Sequence, residues 1–204
     1  MMNLEFSEIK LYNPGVLKTK IPASIFADLT RDLQKQVDNK PEKYNSRLAG
    51  QLETELEYVI NGQFRDCLEQ TFFEYRRKFN FHEDKDYIID SNAWVNFQKK
   101  HEYNPIHFHH KDISWVIWIA IPYDLEEELN MPNVRESNYK VASKFQFIYN
   151  SFDGGISTTQ LDIDKTWEGS LIMFPNYLKH QVYPFQTSNE CRISISGNID
   201  IRNQ

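Results

Sequence analysis

Apolar positions along this chain follow two periods, and the change falls near residue 87. From Pro22, the segment IPASIFADLTRDLQKQVDN places Ile25, Phe26, Leu29, Leu33 and Val37 at helical spacing. Pro22 suits a first helical turn, where its missing N–H would have had no partner. A second helical pattern is predicted over about Gln51 to Glu57, after a loop from Pro41 to Gly50. A third runs from about Asn61 to Phe79, with Phe64, Cys67, Leu68, Phe72 and Tyr75 on one stripe and Arg76, Arg77 and Lys78 closing it. Ahead of these, residues 3–19 read as one or two short strands broken at Asn13-Pro14-Gly15.

From Tyr87 the period becomes two. In YIIDSNAWVNFQKK, Trp94, Asn96 and Gln98 fall on one face and Ala93, Val95 and Phe97 on the other. The polar face suits either the wall of a site or solvent. NPIHFHHKDISWVIWIAIP (104–122) reads as a short strand, a polar turn and a strongly apolar strand. FQFIYN (145–150) and residues 156–163 are further strands around a turn at 153–155. Residues 123–143 interrupt the pattern with Glu126 to Glu128 and Pro132, and fit either a lid or a solvated face. Short strands after a helical part predict a mainly β (α+β) protein with helices packed on the outside of the β-core. The expected organisation is one domain over 1–204: a helical support region with short leading strands at 1–85, and the core at 86–204.

Composition narrows the class. Aromatic residues make up 14% of the chain, which suits large cross-strand side chains. A net charge of −6 argues against a general nucleic-acid or anionic-membrane surface. Cys67 and Cys191 lie far apart and outside any Cys-x-x-Cys, and read as reduced thiols, with a single disulfide as the alternative. The opening MMNLEFSEIK lacks an apolar core and a cleavage site, and no apolar run approaches membrane-spanning length. A soluble cytoplasmic protein is expected, with homodimerisation left open.

Candidate chemistry gathers at two stretches. Strand alternation puts His107 and His109 on the same face, about 7 Å apart along the chain, where both could grip one metal ion. His110 and Asp112 form a second, literal His-x-Asp pair. Downstream, His180 follows Phe174-Pro175, and Arg192 stands in a β-prone segment with Ser194 two positions on. An inward-facing arginine there needs an anionic partner, because an unpaired buried charge is costly.

These pieces resemble the Fe(II)/2-oxoglutarate-dependent oxygenases, whose motif runs His-x-Asp/Glu, a distal His, then Arg-x-Ser. The chain is similar to members of that superfamily from marine phages and bacteria in Asn104 to His109, Ser114 to Ile117, Phe174 to His180 and Arg192 to Asn198. The resemblance spans roughly residues 90–201, with NSRLAG (45–50) as a further shared segment. It implies a double-stranded β-helix (jelly roll) with Fe(II) held by His107, His109 and His180. It also implies 2-oxoglutarate as cosubstrate, its far carboxylate on Arg192 and Ser194, with Asn96 on the pocket wall. The expected partners are thus a small-molecule cosubstrate and a prime substrate to be hydroxylated. His109 occupies the position where the broader family has a carboxylate, so Asp112 stays open as an alternate ligand or as an acceptor behind the imidazoles. Two other readings remain: a cupin-like metalloprotein that uses no 2-oxoglutarate, and a jelly-roll binding module with a vestigial site.

Overall fold

A computed structural model describes residues 15–151 and 153–202. In chain order the elements are β1 (Leu17–Lys20), α1 (Ala23–Asp38), β2 (Thr54–Val59), α2 (Gly62–Phe79), β3 (Tyr87–Ile89), β4 (Asn92–Gln98), β5 (Asn104–His107), β6 (Ile113–Ala120), α3 (Leu125–Asn130), α4 (Pro132–Arg135), β7 (Phe145–Asn150), β8 (Ile156–Leu161), β9 (Ser170–Pro175), β10 (Lys179–Val182) and β11 (Arg192–Ile201). The strands form two antiparallel sheets. The larger has the order β1-β9-β6-β11-β4-β2, with β3 also on β11, and the smaller is β5-β10-β7-β8.

The two-residue period sorts the large sheet's side chains into two cores. One face of β6, β9, β4 and β11 contributes Ile113, Trp115, Ile117, Leu171, Met173, Val95 and Ile195 to a cluster shared with Leu29 and Leu33 of α1 and Phe64, Leu68 and Phe72 of α2. Both helices fall within two residues of where the pattern predicts them. Asn80 ends α2 in the left-handed conformation, which asparagine tolerates. The opposite face sends Val116, Trp118, Ile172 and Phe174 against Phe145 and Phe147 of β7. Gly197 is where a side chain would not fit, since a Cβ there would meet the Trp115 ring.

One expectation changes, and an open one is narrowed. The predicted helix over Gln51 to Glu57 is instead largely strand β2, paired in register with β4 from Thr54↔Phe97 to Val59↔Asn92. Gln, Glu and Leu favour helix intrinsically, but pairing sends Leu56 and Tyr58 into the helix-side core and Glu55 to the other face. Residues 123–143, left open between a lid and a solvated face, are tied down at Asp124 and Glu128. Asp124 caps α3 by accepting from the N–H groups of Glu126 and Glu127. Fully buried Glu128 accepts from Gln186 N (2.9 Å) and from Thr187 N and Oγ1 (each 2.7 Å), while Glu126 and Glu127 face solvent. The strand expected over 3–19 is seen as β1 from Leu17, and its earlier part lies outside the described residues. Cys67 and Cys191 are free thiols. Among the described residues no helix is long and apolar enough to cross a membrane.

Candidate metal centre

His107 and His180 meet because they are directly opposed across two strands. β10 pairs antiparallel with β5 in the register His180↔His107, which puts the two side chains side by side on one face of the small sheet. Their ring centroids are 4.2 Å apart. His109 joins them by a different route from the one expected. The strand stops at His107, and His109 sits in the following loop, its N–H donating to the Asn176 carbonyl at 3.0 Å. Its ring lies 5.2 Å from that of His107 and 5.4 Å from that of His180, against Trp94 at 5.5 Å. One ligating nitrogen from each of the three lies within 4.8 Å of the others. Among the described residues this is the one group of side chains placed to share a metal ion.

Local bonding also sets which nitrogen faces inward. Nδ1 of His107 lies 2.7 Å from the Pro105 carbonyl and Nδ1 of His180 lies 2.9 Å from the Leu178 carbonyl. A carbonyl only accepts, so each Nδ1 carries the proton and each Nε2 keeps its lone pair. Burial does the rest. His180 is 3% exposed and boxed by the rings of Phe145 and Phe174. Desolvation, followed by His107, holds its pKa well below the usual imidazole value. Desolvation also lowers His107, and brings His109 to about 4 with help from His107 and His110. Three neutral imidazoles in a dry pocket are a donor set ready for a divalent ion.

Asp112, expected as an alternate or outer ligand, is engaged elsewhere: its Oδ2 accepts the Ile201 N–H at 2.7 Å, and it is not part of the histidine group. His110 is solvent-exposed.

A cavity of about 350 Å³ is lined by the three histidines together with Glu55, Trp94, Asn96, Gln98, Asn104, Ser114, Arg192 and Ser194. Asn96 and Gln98 are 6% and 3% exposed, so the polar face of β4 is a pocket wall and not a solvent face. Arg192 is buried opposite Gln98. Its Nε and Nη2 donate to Gln98 Oε1 (3.2 and 2.7 Å), and Nη2 also reaches the Tyr183 carbonyl (2.9 Å). Nη1 donates to Tyr123 Oη (2.9 Å) and to the Ser143 carbonyl (2.6 Å). These acceptors are all neutral. They satisfy the N–H groups and leave the positive charge without a carboxylate among the described residues. Ser194 lies across from Asn96, whose Nδ2 donates to its hydroxyl at 3.3 Å.

Sequence reasoning missed Glu55, Tyr123 and Asn176. Glu55 was hidden by the helical reading of its strand. Tyr123 stood in the segment assigned to a lid or a solvated face. Asn176, which accepts from His109 N–H and from the Ser114 hydroxyl, gave no sequence signal beyond its place between Phe174 and His180.

Fold and site together define a β protein with a three-histidine group able to hold one metal ion. The sequence matches the family model described as "Putative 2OG-Fe(II) oxygenase" over residues 92–198, more than half of the 204-residue chain. The chain therefore belongs to the 2-oxoglutarate/Fe(II) oxygenase family, a class of oxidoreductases that uses Fe(II) and 2-oxoglutarate. No curated protein sequence matches it. Among solved structures, a Pseudomonas putida prolyl-4-hydroxylase is similar with a TM-score of 0.58 at 11% identity, covering 93% of each chain. A Trichoplax adhaerens prolyl hydroxylase, solved with a peptide fragment of the hypoxia inducible factor oxygen degradation domain, gives 0.58 at 8% identity over 92% of this chain and 83% of that one. A Burkholderia pseudomallei oxidoreductase of the 2OG-Fe(II) oxygenase family gives 0.53 at 12% identity, over 91% and 84%. At these identities the likeness is one of fold.

Proposed function

We propose that this protein is a 2-oxoglutarate-dependent dioxygenase acting as a hydroxylase, with its two sheets forming a double-stranded β-helix around the site. His107, His109 and His180 would hold Fe(II), and Arg192 with Ser194 would hold the far carboxylate of 2-oxoglutarate. The observation that carries the proposal is a buried guanidinium with no anionic partner among the described residues, lining the same cavity as three neutral imidazoles.

When bound, Fe(II) and 2-oxoglutarate supply oxidative decarboxylation and the activation of dioxygen. The chain's own residues do the positioning. The Pro105 and Leu178 carbonyls fix the tautomers of His107 and His180, so neither ring has to turn before it can ligate. Phe145, Phe147 and Phe174 keep water from His180. Ser196 pairs with Trp94, the ring that packs on His109, and Arg192 lies four residues further along β11, about 13 Å by strand rise. A five-carbon diacid and a long arginine side chain together bridge that span. The arriving carboxylate would take the place of a side-chain acceptor, Gln98 Oε1 or Tyr123 Oη. The backbone carbonyls of Ser143 and Tyr183 would keep the guanidinium in place. Asn96 would act through Ser194, holding its hydroxyl toward the carboxylate.

Three neutral ligands are unusual for iron in this role, where two histidines and a carboxylate are customary. The charge arithmetic leaves one positive charge: a divalent ion on three neutral imidazoles and the Arg192 guanidinium together meet one 2-oxoglutarate dianion. Its far carboxylate answers Arg192, and its near one answers half of the metal's charge. The same donor set accepts zinc or nickel readily, so aerobically purified protein should carry those ions in place of iron. The test is anaerobic titration of the Fe(II)-loaded protein with 2-oxoglutarate. A weak visible charge-transfer band should grow to one equivalent and be absent in His180→Ala. No band with the fully iron-loaded protein would remove the 2-oxoglutarate reading and favour the cupin-like one.

A further inference from the structure

One part of the cavity wall, Glu55 and Asn104 with the Oδ1 edge of Asn96, is not used by metal or cosubstrate. Glu55 of β2 stands directly across from Asn96 of β4, and both point to the cavity face of the large sheet. Asn104, the first residue of β5, lines the same cavity. Glu55 Oε2, Asn96 Oδ1 and Asn104 Oδ1 are each buried without a hydrogen-bond partner among the described residues. Gly50 packs against two of these side chains: a Cβ at that position would collide with Glu55 Oε1 and Asn104 Oδ1, and with Leu52 Cδ1. Three side chains from two sheets, each with an acceptor oxygen left unanswered among the described residues, therefore line one cavity. Glu55 is 1% exposed and has no ion-pair partner among the described residues. The exposed Arg47, also on the cavity rim, is instead stacked over Tyr44, 4.9 Å from its ring.

Buried acceptors without donors are costly, by about 1–3 kcal/mol each and more for a charged one. Turning the Asn96 or Asn104 amide around would give Glu55 one N–H, but it would leave the carboxylate's charge uncompensated. A single proton on Glu55 would serve only one of the two amide oxygens. A rotated Asn104 amide and a proton on Glu55 together would quiet the empty cavity. With the amides as they stand, the group that answers all three oxygens and the carboxylate charge at once is an alkylammonium, with three N–H donors and one positive charge.

We propose that Glu55, Asn96 and Asn104 form a subsite for an ammonium group, so that the prime substrate is a primary amine held by its nitrogen while a carbon further along is presented to the metal. This rests on the oxygenase reading for the word substrate, though not for the subsite itself. Burial, with Glu102 adding repulsion, raises the Glu55 carboxyl to about 7 in the empty cavity; an arriving ammonium would draw it back to the carboxylate. Gly50 belongs to the NSRLAG segment, and its lack of a side chain lets its backbone pack close against Glu55 and Asn104.

The test uses the full-length, metal-free protein, so it needs no turnover and no 2-oxoglutarate. Binding of n-butylamine and of its neutral isostere n-butanol is measured at pH 8 by ligand-observed NMR. The amine is expected to bind at least tenfold more tightly. Glu55→Gln, which keeps shape and removes charge, should abolish that preference while leaving the far-UV circular dichroism and melting temperature at or above those of the parent. Equal binding of the two probes, or an amine preference that survives Glu55→Gln, would overturn the proposal. Loss of the 2-oxoglutarate band with the amine preference intact would instead remove the oxygenase reading and keep the ammonium subsite.

Discussion

The histidine group and Arg192 line one cavity, yet burial acts on them in opposite ways. Desolvation strips the imidazoles of their protons, because a histidine can pay the cost of a dry site by becoming neutral. A guanidinium cannot do this at any accessible pH. The protein surrounds Arg192 with five hydrogen bonds to neutral acceptors instead, and its charge persists. One region is thus complete only with a cation, and the other only with an anion. On the proposed reading, a metal chelated by a dicarboxylate would answer both.

The largest effect should come from removing a ligand. His107→Ala or His180→Ala should weaken metal binding by more than the roughly 10–100-fold that outer partners of metal ligands are worth, measured by metal analysis after dialysis. His110→Ala should leave it unchanged, because that side chain is in solvent. At the other region, Arg192→Leu should weaken 2-oxoglutarate by about 2–4 kcal/mol, the scale of losing a charge-assisted partner of a buried anion. Arg192→Lys keeps the charge without the planar fork and should recover part of that loss, as read by calorimetry.

Acidity should separate the two regions as well. Unfolded histidine titrates near 6.5, whereas folded His109 titrates at about 4. Between those values the unfolded chain binds more protons, so stability rises with pH across the window. The metal-free protein should therefore have its full stability above about pH 6.5 and lose it progressively as the pH falls toward 4. His109 alone accounts for about 3 kcal/mol of that loss, with His107 and His180 adding in the same direction. Denaturant melts at stepped pH would show it, and bound metal should steepen the curve, because ligation holds all three imidazoles unprotonated to lower pH. The smallest effect is expected for Tyr123→Phe, which removes one neutral acceptor from Arg192 and should change 2-oxoglutarate affinity by about 1 kcal/mol.

How much of this was legible in sequence depended on whether local pattern and tertiary pairing agreed. They agreed at α1 and α2, where apolar spacing of 3.6 residues matches the buried stripes, and at β4, where alternation put Asn96 and Gln98 on one wall. They agreed only in outcome at His109, which reaches the group from a loop pinned by Asn176 and not by continuing the strand. They disagreed at Gln51 to Glu57. Helix-favouring residues there are overridden by edge pairing with β4, and with that misreading Glu55 was lost from the cavity. The partners of Arg192 were illegible in detail because two of them, the Ser143 and Tyr183 carbonyls, are backbone groups that no residue type advertises.

The central claim is that the two regions act on one chemistry, and the most direct measurement is succinate release from 2-oxoglutarate by the Fe(II)-loaded protein in air without any prime substrate. The account predicts slow succinate formation that requires iron and dioxygen, disappears in His180→Ala, and falls sharply in Arg192→Leu at limiting 2-oxoglutarate. Absence of succinate from iron-loaded protein, or release that is indifferent to both substitutions, would contradict it.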